Sequence, residues 1–182
     1  PAGVQAQLDG FSVRSGSIDL AVRGRLSLPS AGADSAPEPD LFIQASTPQA
    51  PAAEFFGLLP DRALSPKFIA WGRNAIKAGT LHGVQALLRG DPRRFPFRAH
   101  QGQFLASTDF TDVTLDYQPG AGWPQASEAR GRFGLTGPEF WLTLDDGRLL
   151  DSRAAPLTVR IPDVVRPDKR LLLDGTATGP AQ

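Results

Sequence analysis

Between Ser17 and Leu28 apolar and polar side chains alternate without a break. Ile18, Leu20, Val22, Leu26 and Leu28 share one parity with Gly24, while Ser17, Asp19, Arg23, Arg25 and Ser27 occupy the other. Period 2 over about eleven residues describes a strand of roughly 36 Å with one apolar face and one wet face. A weaker alternation over Gln5–Arg14 predicts an earlier strand, with Gly10 as a bulge or kink. Asp40–Ser46 reads as a third, with Leu41, Ile43 and Ala45 on one face. The stretch between them, Ser30–Pro39, is rich in Ala, Ser, Gly and Pro and reads as a mobile loop.

Helical spacing replaces the alternation only between Pro51 and Gly79. Ala52–Leu59 can make two turns. A second helix opens with Ser65 as N-cap and Pro66 in the first helical position. Phe68, Ile69, Gly72, Ala75 and Ile76 then fall on one side, with Lys67, Arg73, Asn74 and Lys77 off it. Gly79 stands where a left-handed residue would close the helix, which predicts a helix over 66–78 of about 20 Å. Such an amphipathic helix has one docking face and suits a cap on a sheet, not a bundle.

From Thr80 onward, seven alternating segments follow: Leu81–Arg89, Gly102–Phe110, Asp112–Tyr117, Ser127–Leu135, Phe140–Leu144, Leu157–Ile161 and Arg170–Thr178. Gly90-Asp91-Pro92, Pro119–Pro124, Gly137-Pro138, Asp145-Asp146-Gly147 and Pro162–Pro167 separate them as turns. Short strands at this spacing predict an antiparallel meander, not parallel βαβ units. The fold class is therefore mainly β, with one amphipathic helix and a short second one. The organisation reads as N-terminal strands over 1–50, a helical insert over 51–79 and a β meander over 80–182, in one continuous module.

Composition narrows the chemistry. Nineteen basic and 19 acidic side chains in 182 residues leave no net charge, so the main electrostatic reason for binding nucleic acid is missing. The absence of Cys removes disulfides, Cys-ligated zinc, Fe–S clusters and Cys nucleophiles, and it fits an oxidising compartment. There is no Met, so a chain starting at Pro1 is expected to be a piece of a longer product. No apolar run reaches the length of a membrane span, and no signal peptide is visible.

No catalytic constellation stands out. There is no G-x-S-x-G, and His82 and His100 have no Ser and Asp placed beside them. Both read as structural histidines. Asp109, Asp112 and Asp116 would gather oxygens on a helix; in a strand they read as an outer polar face, and no metal or cofactor is expected. Glu54, Glu128 and Glu139 could serve glycoside chemistry only as a close pair beside a cleft. The aromatics that could stack on sugar, Trp71, Tyr117, Trp123 and Trp141, are scattered among helix, turn and strand. The stronger feature is an excess of one-faced apolar rows over elements able to cover them. The pattern alone favours a closed sandwich, with an open apolar groove as the alternative.

A series of motifs from Leu64 to Pro180 bears on that choice. A Leu-Ser-Pro helix opening with Trp71 and Ala75-Ile76 precedes Gly79-Thr80-Leu81, Arg89-Gly90, Phe95-Pro96-Phe97 and Gly102–Phe104. Val113-Thr114-Leu115-Asp116-Tyr117, Pro119-Gly120, Trp123-Pro124, Gly131–Phe133, Ile161-Pro162-Asp163 and Leu171-Leu172-Leu173-Asp174-Gly175 complete it. The order resembles the YhdP-type members of the AsmA-like family of Gram-negative envelope proteins. Their T-L-D-Y-x-P-G-W-P phrase is the most specific match, here interrupted by Ala121-Gly122, an insertion that a turn tolerates.

The resemblance implies a long periplasmic chain, held to the inner membrane by an N-terminal anchor missing from this sequence, with neighbouring β repeats of the same chain on either side. It implies a curved, taco-shaped sheet whose concave face carries phospholipid acyl chains between inner and outer membrane. On that reading the groove wall comprises Ile18, Leu20, Val22, Leu26, Phe104, Val113, Leu115, Phe133, Leu157, Val159, Leu171 and Leu173. Structural or protein-binding roles, and an envelope carbohydrate-active enzyme, are the alternatives.

Overall fold

The computed structural model describes residues 3–29, 38–58, 66–122 and 124–179. Most of the Ser30–Pro39 loop, Ser65 and Trp123 lie outside these residues, as do the side chains of Phe68 and Ile69. Nine strands form one antiparallel sheet in strict chain order: β1 (Val4–Ser15), β2 (Ile18–Leu28), β3 (Asp40–Pro51), β4 (Ile76–Gly90), β5 (Gly102–Leu115), β6 (Ala126–Thr136), β7 (Glu139–Leu149), β8 (Ser152–Ile161) and β9 (Leu172–Thr178). Two helices, α1 (Ala52–Leu58) and α2 (Pro66–Ala75), separate β3 from β4. The sheet is open: β1 and β9 each pair on one side only.

Apolar side chains collect on one face because their register is kept from strand to strand. Phe11, Val22, Ala45, Ala86, Ala106, Leu135, Phe140 and Ile161 stand opposite one another in turn across β1 to β8. A parallel row runs Thr108, Phe133, Leu142, Val159 and Leu173 from β5 to β9. A third runs Leu81, Phe110, Gly131, Leu144, Leu157 and Gly175 from β4 to β9.

Bulges hold these rows together where the sequence changes phase. In β1 the apolar positions Val4, Ala6 and Leu8 are even, and Phe11 and Val13 are odd. The register shifts between Leu8 and Phe11, at Gly10, so all five face the same way as their β2 partners. In β5 and β6, Asp112 (φ 53°) and Glu128 (φ 52°) do the same work, bringing Val113 opposite Ala129 and Leu115 opposite Ala126. One extra residue in a strand absorbs the parity change and bends the sheet locally. Repeated bulges are consistent with a curved, groove-like sheet.

The opposite face carries the ion pairs, with Phe42, Leu87, Leu105 and Trp141 set among them. Arg14 pairs with Asp19 at 2.6 Å, Arg25 with Asp40 at 3.7 Å and Arg132 with Asp109 at 3.7 Å, and Arg23 donates to Gln44 at 2.9 Å. Exposed pairs of this kind add little stability, but they keep this face wet.

Three sequence expectations are corrected. The second helix ends at Ala75, and Ile76, Lys77 and Ala78 already belong to β4. Gly79 lies within that strand at φ 125°, where a Cβ would sit 2.5 Å from Val113, so it is a close-approach position and not a helix cap. Asp145-Asp146-Gly147 is likewise not a turn. It lies inside β7, with Arg153 donating to Asp146 at 2.7 Å, and the hairpin reverses at Leu150-Asp151. The segments Gly102–Phe110 and Asp112–Tyr117 are one strand joined through the Asp112 bulge, not two.

Candidate functional site

The apolar face is covered at both ends of its strands and open between them. At the first rim α1 enters directly from β3. Ala52, Leu81, Phe110 and Ala129 form a buried cluster, against which Phe55, Ile76, Val84, Val113, Phe133, Leu142 and Leu144 pack. Phe56 and Ala75 are buried where the two helices meet the sheet. Asp116 N donates to Ala75 O at 2.8 Å and Trp71 Nε1 to Tyr117 O at 3.1 Å, tying α2 to the end of β5. Ser17 Oγ donates to Glu54 at 3.4 Å, which brings the β1–β2 turn to α1.

At the second rim the cover is the β4–β5 connection. Asp91, which is 4 % exposed, accepts from Arg93 N at 3.0 Å and from Arg93 Nη2 at 2.6 Å. Those hydrogen bonds hold its carboxyl below the usual carboxylate range despite burial. Arg94 continues to Glu38. After the 3-10 turn Pro92–Arg94 the chain folds back over the apolar face at Phe95-Pro96-Phe97. Phe97 is buried on the Gly90–Gly102 pair, where a Cβ on Gly102 would lie 2.5 Å from its ring. Phe95 meets Phe104 edge-on at 5.2 Å between centroids. Arg98 then grips Asp163 of the β8–β9 loop at 2.7 and 3.2 Å, and this pairing lowers the Asp163 pKa.

Eleven of the twelve wall candidates fall on this apolar face by register, with graded exposure, and Leu171 lies just before β9, outside the paired register. Ile18 is 1 % exposed and belongs to the packed first rim. Leu20, Val22, Leu26, Phe104, Val113, Leu115, Phe133, Leu157 and Val159 are half-buried. Leu171 and Leu173, at the β9 edge, are 56 % and 61 % exposed. Sequence reasoning missed Leu8, Phe11 and Val13 of β1, whose apolar positions needed the Gly10 bulge to come into line. It also left Leu88, Ile43 and Leu142 out of the wall, where the cross-strand partners place them.

The chemical candidates do not converge. Glu128 and Glu139 lie toward opposite ends of the β6–β7 hairpin, roughly 26 Å apart at strand rise, because Glu139 faces Thr136 in register. Glu139 pairs instead with Arg160, and Glu128 lies 3.9 Å from Arg148. His82 Nε2 lies 2.9 Å from Thr111 Oγ1 in a structural contact. A cleft lined by Thr111, Asp112, Glu128, Arg130 and Asp146 opens near these groups. Among the described residues no cluster of acids and histidines could hold a metal ion, and no helix is long and apolar enough to cross a membrane.

A one-sided apolar sheet with covered rims is a description, and comparison with known proteins supplies the relationship. The family described as YhdP protein matches residues 2–182. The chain belongs to the YhdP family. A curated YhdP relative, the intermembrane phospholipid transporter YhdP of Escherichia coli (strain K12), is 24 % identical over 145 residues, covering 80 % of this chain. The chain spans 11 % of that relative's length. No solved structure matches.

Proposed function

We propose that this chain is one segment of a conduit that carries phospholipid acyl chains across the periplasm on an apolar β face, between the inner and outer membranes. The carrying observation is the unbroken row from Phe11 to Ile161, half-buried from Val22 onward and on the face away from the ion pairs. Its members cross eight strands without a charged side chain. An acyl chain leaving a bilayer loses about 0.8 kcal/mol per exposed CH₂, which such a wall offsets. Movement along the wall needs shallow, repeated contacts and no reactive group, so the role is binding and passage, not catalysis.

The edges support continuation of the same surface. All of β1 is exposed, with Val4 at 62 % and Phe11 at 54 %, and Leu171, Leu172 and Leu173 are exposed beside the other edge. Unpaired edges of this length are usually protected, and on this reading neighbouring β repeats of the same chain pair with both. The inner membrane is reached through an anchor elsewhere in the longer protein.

Lipid extraction of the purified protein followed by mass spectrometry tests the proposal. Phospholipid recovered with the native protein and absent after Val22→Asp supports it. Protein that folds and carries no phospholipid in either form overturns it and leaves the structural β-module reading.

A further inference from the structure

We propose that Phe95 is a lipid-contacting residue that sets how closely an acyl chain can lie along Phe104 at the second rim; this rests on the conduit reading above. The loop bearing it is a firm mount. Asp91 is buried beneath two arginines, Pro96 and Phe97 are buried, and Arg98 is clamped to Asp163. Phe97 holds φ 62°, a left-handed conformation unfavourable for a bulky side chain. Such an outlier persists only where its surroundings over-determine it and points toward function.

Against that mount, Phe95 is 42 % exposed. Folding has buried the two residues that follow it, Pro96 and Phe97, and left this ring half in solvent, edge-on to Phe104 at 5.2 Å and to Phe97 at 6.0 Å. Its position is on the apolar side of the sheet, because Phe104 stands opposite Leu88, which in turn stands opposite Ile43 in the apolar register. Ile43 is itself 37 % exposed. A rigidly held, incompletely covered aromatic beside an open apolar row is suited to an apolar partner that comes and goes.

The test is photo-crosslinking in cells, using the full-length protein and the cell's own phosphorus-32-labelled phospholipid as the probe. p-Benzoylphenylalanine is placed singly at position 95, at position 22 and at position 23. Labelled adduct at 95 and 22 and none at 23 is the expected result. Adduct at 22 with none at 95 overturns this inference and leaves the conduit intact. No adduct at 22 overturns the conduit reading, and the role of Phe95 with it. The benzophenone keeps an aromatic ring at an exposed site, so the thermal midpoint of the position-95 protein should match the wild type.

Discussion

The ring of Phe56 lies against Gly72 so closely that a Cβ on Gly72 would fall 2.3 Å from it. This contact joins α1 to α2 and lets the helical pair sit on the end of the sheet as one cap. Gly within a helix normally weakens it relative to Ala, so propensity alone predicts that Gly72→Ala stabilises. Close packing reverses the sign. We expect Gly72→Ala to destabilise by about 1–3 kcal/mol, the usual penalty of overpacking. A urea midpoint equal to or above the wild type would refute the contact.

Burial within the apolar face is graded, and stability should follow the gradient. Leu81 is 2 % exposed in the cluster beneath α1, so Leu81→Ala should cost about 2–5 kcal/mol. Leu20, on the same face but half-buried, should lose markedly less on the same truncation. Equal losses in chemical denaturation would mean the two sites are equally enclosed.

A charge placed in the open part of the face separates packing from passage. Leu20→Asp should leave the far-ultraviolet dichroism and the cooperative melt in place, because water can reach a carboxylate there, whereas a sealed core would exclude it. Lipid recovered with the protein should fall. Asp19→Asn, on the ion-paired face, should change neither. Unfolding by Leu20→Asp would identify the row as a closed core.

Phe97 makes a separate prediction at the second rim. Gly102→Ala would place a methyl group 2.5 Å from its ring and 2.6 Å from Arg89 O. The ring must leave its seat, and limited proteolysis should then cut within 91–101 sooner than in the wild type. Unchanged cleavage would show that the loop does not depend on that seat.

The Arg98–Asp163 clamp should respond to acid. Arg98 hydrogen bonding lowers the folded-state pKa of Asp163 below its ordinary value of about 4. A depressed carboxylate contributes stability that is fully present above its unfolded pKa and is lost as pH falls through the folded one. The melting-point gap between wild type and Asp163→Asn should therefore be constant near neutrality and shrink below about pH 4. A gap that persists at low pH would mean the carboxylate's charge is not what holds the loop.

How much of this was legible in the sequence depended on whether alternation stayed in phase. β2 has no bulge, and Ile18 to Leu28 could be assigned to one face directly. β5 breaks phase at Asp112, so Phe104 and Val113 have opposite parity in the chain yet share a face in the sheet. Both are apolar in the sequence, and only the cross-strand register shows that they belong together. Ala75 and Ile76 continue a helical spacing in the sequence, while pairing of Ile76 with Leu115 draws the chain into β4. Tertiary pairing outweighed local spacing there. Phe95 gave no signal of its own, since the sequence shows an aromatic–proline–aromatic turn but not which ring the fold leaves uncovered.

Strict chain order across the sheet has a consequence for how such a protein changes size. Among the described residues every strand pairs with its sequence neighbours, and no crossover binds distant parts of the sheet into a fixed outline. Inserting or losing one hairpin alters the span by about 10 Å, two strand spacings, and leaves the cross-section untouched. Width is set by strand length and by the caps at each rim; reach is set by the number of turns. Selection can therefore fit the protein to a wider or narrower gap by duplicating short genetic units, without redesigning the surface that does the carrying.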